Sequence, residues 1–259
     1  MIVDCHTHIF EAGRGGPFNL PCGADDLVRE MDAHGVDVSV VLPLPGVASN
    51  EFVQRECARH PGRLTPLYNP EFDVVNETLR KMETFFSSYA PKGLKIHPRN
   101  QGVSVNDGVV AEVLHWAAEK ALPVLFDAFA WGKSLDNLAL HPLAYHQVAQ
   151  KFPNLKLILA HAGGYKLMEA FMVAKSNANV FLDISLSPLY FTGSSLAADC
   201  GFLCRRLPAG RVLYGSDFPS VRFGDSLEAA RQLLASAGDD IATETMGTAA
   251  ARVFGLTQG

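Results

Sequence analysis

The chain has 259 residues, 48% of them apolar and 19% charged, a balance that suits a well-buried globule and excludes a disordered or fibrous chain. A formal net charge of −5 argues against a nucleic-acid partner, because neutralising phosphates calls for a basic face. No apolar run approaches the ~18 residues of a membrane span, so no membrane association is expected.

The opening MIVDCHTHIF leads from an apolar pair into Asp4, His6 and His8 at alternate positions. In a β-strand, residues i and i+2 face the same way, so the two imidazoles would stand side by side with Asp4 on the same row. Two neutral imidazoles on one rigid element make half of a first-row metal site; surface histidines on a frayed end are the plainer alternative. ADDLVREMDAHG, with acidic residues in its first turn and Gly35 at the C-terminal cap, predicts a helix. VSVVLPL and RLTPLYN read as the second and third strands, followed by the helix NETLRKMETFFSSY. GLKIH is the fourth strand, VVAEVLHWAAEKA a helix, PVLFDA the fifth strand and HPLAYHQVAQKFP a helix ending at proline. LKLILAH, VFLDIS and RVLYGSD complete the strands, and SLEAARQLLASAG and IATETMGTAAARVFG supply the closing helices.

These apolar runs are continuous rather than alternating, as in parallel strands covered on both faces. Eight strands alternating with about eight helices match a (β/α)₈ TIM barrel, read as one domain over residues 1–259. The competitor, a doubly wound sheet, wants a glycine-rich phosphate turn after the first strand, and HIFEAGRGGPFN does not provide G-x-G-x-x-G in frame. The five cysteines (Cys5, Cys22, Cys57, Cys200, Cys204) are scattered without a C-x-x-C pair, which predicts reduced thiols in a cytoplasmic protein.

Barrel enzymes carry their chemistry at the carboxyl ends of the strands. His6 and His8 end the first strand, Lys95 and His97 the fourth, Asp127 the fifth, His161 the sixth and Asp217 the eighth. An apolar strand that stops at an ionisable residue needs a reason, because an unpaired buried charge is costly. Arg99, Trp131 and Arg222 fall in loops just past the fourth, fifth and eighth strands, where arginine can grip a carboxylate and tryptophan can stack on a ring. Each of the three also reads as a surface residue paired with a neighbour. Lys95 reads as an interior ion pair with Asp4 or Asp127, or as a contact to a substrate carboxylate; His97 reads as a substrate contact. His34, His60, His115, His141 and His146 lie on helices or caps and carry no assigned chemistry.

With H-x-H after the first strand, LILAHAGG at the sixth and VLYGSDFP at the eighth, the chain resembles the amidohydrolase superfamily. It looks more narrowly like the branch that contains aminocarboxymuconate-semialdehyde decarboxylase, aromatic-acid decarboxylases and certain lactone hydrolases. The resemblance runs from residue 3 to about 220. It implies one divalent metal, usually zinc, held by His6, His8, a fifth-strand residue and Asp217; two carboxylates in the set would favour a harder ion such as manganese. It further implies that His161 hydrogen-bonds substrate or acts as acid or base. Such a cation would lower the pKa of a bound water towards ~7, with Asp217 positioned to take its proton. The family usually has histidine at the end of the fifth strand, where this chain has Asp127, a carboxylate that ligates zinc at a similar bond length. In binuclear relatives a fourth-strand lysine is carboxylated and bridges two metals, but the narrower branch resembles mononuclear enzymes.

The implied function is metal-dependent hydrolysis of a small carboxylate-bearing substrate. Non-oxidative decarboxylation of an aromatic or muconate-type acid, metal-independent lactone hydrolysis and a barrel that only binds its ligand are the alternatives. The loops are short, with residues 11–24 and 187–200 the main exceptions. An open mouth therefore points to a modest-sized substrate, or to a lid lent by a partner subunit in a homo-oligomer.

Overall fold

The computed structural model describes residues 1–130 and 140–256. All eight sequence-predicted strands form, and they close into one ring: β1 (Val3–Thr7), β2 (Val38–Val41), β3 (Leu64–Pro66), β4 (Leu94–Ile96), β5 (Val124–Phe126), β6 (Leu157–Leu159), β7 (Val180–Asp183) and β8 (Val212–Leu213). Neighbours pair in parallel within β1–β3 and within β4–β8. Two seams join these arcs. At one, Tyr68 bridges to Leu94; at the other, Thr7 bridges to Phe218 and the Cys5 N–H donates to the Tyr214 carbonyl at 3.0 Å. The result is a (β/α)₈ barrel.

The burial pattern explains the continuous apolar runs. Leu94, Ile96, Val124, Phe126, Leu157 and Leu159 face outward and pack under the helices, including Gly108–Glu119 and Leu167–Ser176. Leu125, Ile158 and Leu213 point inward, where they meet Val3, Cys5 and Val40. The last helix, Ala249–Phe254, seals the floor with Ala249, Ala250, Val253 and Phe254. Both strand faces are thus desolvated, worth ~25 cal/mol per Å² of apolar area removed from water. Gly35 ends the first helix in the left-handed region (φ 71°), as its sequence position predicts. No helix among the described residues is long and apolar enough to cross a membrane.

Beyond β1, a small antiparallel ladder (Arg14–Gly15 with Leu20–Pro21) folds over the rim and places Pro17 at the cavity mouth. With the floor sealed, the upper rim is the open end of the barrel.

Candidate functional site

At β1 the local backbone departs from ideal alternation. Asp4 pairs with Ser39 but Thr7 pairs with Val41, so three steps of β1 pass two of β2. Bulges of this kind at barrel rims re-aim side chains. Cys5 stays in the barrel interior, while His6 and His8 both turn to the cavity, each with Nε2 3.6 Å from Asp217 Oδ1. Asp4 does not share their row in the cavity. It sits beneath the seam, its Oδ1 accepting the N–H groups of His6 (3.0 Å) and Ser216 (2.9 Å), and so ties the two histidine- and aspartate-bearing loops together.

The cavity above β1 and β4–β8 has a volume of about 490 Å³. His6, His8, Lys95, His97, Asp127, His161 and Asp217 all line it, although they come from five strands. Asp217 and His161 are held at φ 61° and 57°, a region that costs side-chain-bearing residues on the order of 1–3 kcal/mol. Both lie where a strand end turns its side chain into the cavity. Gly215 is required by close approach: a Cβ there would lie 2.8 Å from His6 Cβ and 2.9 Å from Asp183 Oδ1.

The hydrogen bonds fix how the imidazoles face the cavity. His8 Nδ1 lies 2.9 Å from the Leu42 carbonyl, which can only accept, so Nδ1 carries the proton and Nε2 is bare in the neutral ring. His6 Nδ1 lies 2.5 Å from Asp183 Oδ2. The donor atoms of His6, His161 and Asp217 lie within 4.8 Å of one another. A tetrahedral ion with ~2.1 Å bonds spaces its donors roughly 3.4 Å apart, close to the 3.6 Å found between each of His6 and His8 and Asp217. Neutral imidazoles anchored from behind by carboxylate or carbonyl acceptors, beside an ionised carboxylate, fit a divalent cation.

Electrostatics sharpen this division. Burial opposes ionisation of Asp217, but close contact with His8 and the neighbouring His161 and His6 outweigh it and hold the carboxyl at about 2. Asp127 behaves alike: burial is outweighed by His97, His161, Lys95 and Arg99, again giving about 2. Burial drives His97 down to about 3, and it drives His6 well below its usual range with help from Lys95 and His161. Burial also lowers Lys95, against the pull of Asp127, Asp183 and Asp217. At neutral pH the cavity therefore presents ionised carboxylates beside neutral His6 and His97 imidazoles.

A model of the Amidohydrolase family (Amidohydro_2) matches residues 3–256. The chain belongs to the amidohydrolase family. No curated protein matches it. Among solved structures, it is similar to an uncharacterized TIM-barrel protein from Bordetella bronchiseptica (16% identity, 98% of each chain, TM-score 0.84). It is also similar to a probable 2-pyrone-4,6-dicarboxylic acid hydrolase from Acinetobacter baumannii (14% identity, 98% of this chain and 99% of that one, TM-score 0.71). A third is 2,6-dihydroxybenzoate decarboxylase from Rhizobium (15% identity, 98% of each chain, TM-score 0.71). At such identities the likeness shows the shared barrel.

Within this amidohydrolase the sequence-predicted residues divide clearly. Asp127 Oδ2 is 3.3 Å from both His97 Nδ1 and Arg99 Nη2, and its Oδ1 is 3.5 Å from His161 Nε2. Lys95 is buried in the cavity wall but makes no ion pair with Asp4 or Asp127; among the described residues its ammonium has no hydrogen-bond partner. Trp131 lies outside the described residues. Arg222 does not reach the cavity. The chain turns back tightly after Asp217, whose carbonyl accepts from Ser220 N–H at 2.8 Å, and residue 222 emerges on the outer face. There Arg222 precedes the helix Phe223–Leu234, stacks 4.9 Å over the Phe18 ring, and borders a surface cleft with Asp26, Glu30 and His34.

Sequence reasoning did not single out Asp183, Ser185, Phe129 or Tyr190. Asp183 carried the signal used for the other strands, since VFLDIS also stops at an ionisable residue. Phe129 and Tyr190, with ring centroids 5.1 Å apart, form an apolar wall of the same cavity as Lys95 and Arg99, and follow β5 and β7 with no pattern of their own.

Proposed function

We propose that this amidohydrolase is a metal-dependent hydrolase of a small, carboxylate-bearing substrate. The observation that carries the reading is Asp217: a buried carboxylate held ionised, 3.6 Å from the Nε2 atoms of His6 and His8, in the wall of an open cavity. His6 and Asp217, whose donor atoms group with that of His161, would hold the cation, joined by His8 on the other side of Asp217, with zinc the first choice and manganese the second. Asp127 would add Oδ1, since Oδ2 is engaged by Arg99 and His97. Once bound, the cation supplies Lewis acidity, polarising a carbonyl and making water more acidic.

The chain's own residues do the rest. Asp217 accepts a proton from the attacking water and passes it on to the leaving group. His161, with Nδ1 turned to Ser185 and Nε2 to the cavity, holds the reacting carbonyl or moves a proton at Nε2. Lys95 and Arg99 grip the substrate carboxylate; a buried ammonium without a hydrogen-bond partner among the described residues gains most from an incoming anion. Phe129, buried in the cavity wall, excludes water from its side of the cavity.

Non-oxidative decarboxylation is the second reading. One observation favours it: the buried Phe129 ring in the cavity wall, against which a carboxylate is destabilised by desolvation. Two of the structures similar to this chain carry the names 2,6-dihydroxybenzoate decarboxylase and 5-carboxyvanillate decarboxylase.

The deciding experiment offers the zinc-loaded protein carboxylate-bearing lactones, esters and aromatic acids in ¹⁸O-labelled water. Hydrolysis places label in the product, whereas decarboxylation releases carbon dioxide and leaves the product unlabelled. Elemental analysis of the purified protein accompanies it. Less than about a tenth of an equivalent of transition metal, with turnover indifferent to chelator, would leave the metal-independent alternative standing.

A further inference from the structure

We infer that Asp183 and Ser185, at the end of β7, set the proton positions of two cavity imidazoles together, His6 directly and His161 through the serine hydroxyl. Both residues are fully buried, and neither lines the cavity. The inference rests on the hydrolase reading for its catalytic consequence, but not for the proton positions themselves.

Counting donors and acceptors places the protons. Asp183 Oδ1 accepts the Ser185 N–H at 2.7 Å. Asp183 Oδ2 lies 2.5 Å from His6 Nδ1 and accepts the Ser185 O–H at 2.9 Å, and the Ser185 oxygen is itself 3.2 Å from the same His6 nitrogen. The one hydroxyl proton of Ser185 is thereby committed, so towards His161 Nδ1, 3.0 Å away, its oxygen can only accept. The Ser185 carbonyl, also only an acceptor, is 3.2 Å from the same nitrogen. Burial raises the Asp183 carboxyl, and in its ionised form, which alkaline pH ensures, every neighbour of both Nδ1 atoms is an acceptor. Each ring therefore keeps its proton on Nδ1 and offers a bare Nε2 to the cavity, His6 towards Asp217 and His161 towards Asp127.

Space around the pair is reserved for this arrangement. A Cβ on Gly215 would meet Asp183 Oδ1 at 2.9 Å and Ser185 Cβ at 3.1 Å. Ser187 Oγ donates to the His161 carbonyl at 2.6 Å and holds the turn in register. Asp183 is a positioning residue whose hydrogen-bonded route to His161 runs through Ser185 Oγ, beside the direct attraction between its charge and that imidazole. The consequence is a coupling: a change at Asp183 is felt at both imidazoles while the hydroxyl is present, and when it is absent His161 keeps only the weaker effect of the lost charge.

The test uses full-length protein labelled with ¹⁵N in histidine, stripped of metal, at one fixed alkaline pH, with long-range ¹H–¹⁵N correlation spectra assigned by His6→Gln and His161→Gln. The wild type is expected to show both rings with the proton on Nδ1. Asp183→Ala should shift the Nδ1 resonances of both rings; in a Ser185→Ala background the same change should still shift His6 but move His161 distinctly less, and Ser185→Thr should restore the coupling. If Asp183→Ala does not fold, Asp183→Asn is read in the same way, because an amide cannot satisfy the same three donors. A wild-type ring carrying its proton on Nε2, or a His161 shift that is the same with and without the Ser185 hydroxyl, would overturn the inference. The spectra need no substrate, so a failed hydrolysis screen would leave this result intact.

Discussion

Replacing Gly215 by alanine isolates the close approach on which the site is built. The added Cβ would lie 2.8 Å from His6 Cβ, 2.9 Å from Asp183 Oδ1 and 3.1 Å from Ser185 Cβ. Ordinary carbon–carbon contacts sit near 3.5–4.0 Å, so the overlaps are roughly 0.4–0.7 Å. None of the three neighbours can swing clear, since two are Cβ atoms fixed by backbone and the third is a carboxylate oxygen that accepts a backbone N–H. The strain must move β1, β7 or β8, which puts the cost at about 3 kcal/mol, the upper end of overpacking. For a chain of this size that corresponds to a fall of roughly 6–12 °C in Tm. His6 would be pushed off its present 3.6 Å approach to Asp217, and zinc affinity should drop more than about tenfold. Thermal unfolding and zinc competition titration read the two effects. Gly108→Ala is the control, because its added Cβ meets nothing within 4 Å at the start of a helix. A Gly215→Ala protein with unchanged Tm and unchanged zinc titration would mean that the strands absorb the methyl group freely and that this contact does not hold the site.

Four further outcomes are expected. His8→Ala removes one carbonyl hydrogen bond, about 1 kcal/mol of stability, yet turnover should vanish; full activity would end the proposed role of the H-x-H motif. Asp127→His should keep or raise zinc affinity, because it restores the commoner ligand; a collapse measured by calorimetry would assign this carboxylate another task. Lys95→Met should raise KM for carboxylate substrates at least tenfold, about 1.4 kcal/mol, while the matching neutral ester is little affected. All five cysteines are buried, and burial pushes the Cys200 and Cys204 thiols up to about 12, so native protein should resist alkylation at pH 8 and react fully in denaturant. Rapid labelling of either residue in the native protein would contradict the packing described.

The barrel was legible because both faces of each strand are covered. LKLILAH or PVLFDA carries no alternation, and length, flanking turns and a terminal ionisable residue are enough to mark it. Helices were less evenly visible. Leu167–Ser176 is buried at Leu167, Ala170, Phe171, Val173 and Ala174 but exposes Met168 and Met172, so apolar residues surround it and blur any stripe. The site was read as far as one-dimensional reasoning reaches: a residue that ends a strand must lie on the rim. Which way the following loop turns depends on packing, and this separates Arg99, turned in against Asp127, from Arg222, carried out to Phe18. The bulge in β1 was invisible, yet it is what reconciles an inward Cys5 with inward His6 and His8. Asp183 and Ser185 were missed because their partners are 177 and 179 positions away, and only folding brings them to His6.

The aspartate at position 127 is better understood with its neighbours than as a single departure from the family pattern. A third buried carboxylate near Asp183 and Asp217 would be untenable alone, since like charges at close range in a desolvated site push one another towards the neutral form. Asp127 nevertheless stays ionised: His97 and His161 flank its two oxygens, the Lys95 ammonium shares the same wall, and the Arg99 guanidinium lies 3.3 Å from one oxygen. Carboxylate and guanidinium therefore work as a unit, and on the proposed hydrolase reading an incoming substrate carboxylate would compete with Asp127 for Arg99. That competition favours an anion that can engage Lys95 at the same time, because the ammonium has no hydrogen-bond partner among the described residues to give up. Selectivity for a carboxylate over a neutral group would then come from Lys95, while Arg99 and Asp127 set where along the β4–β5 wall that carboxylate sits.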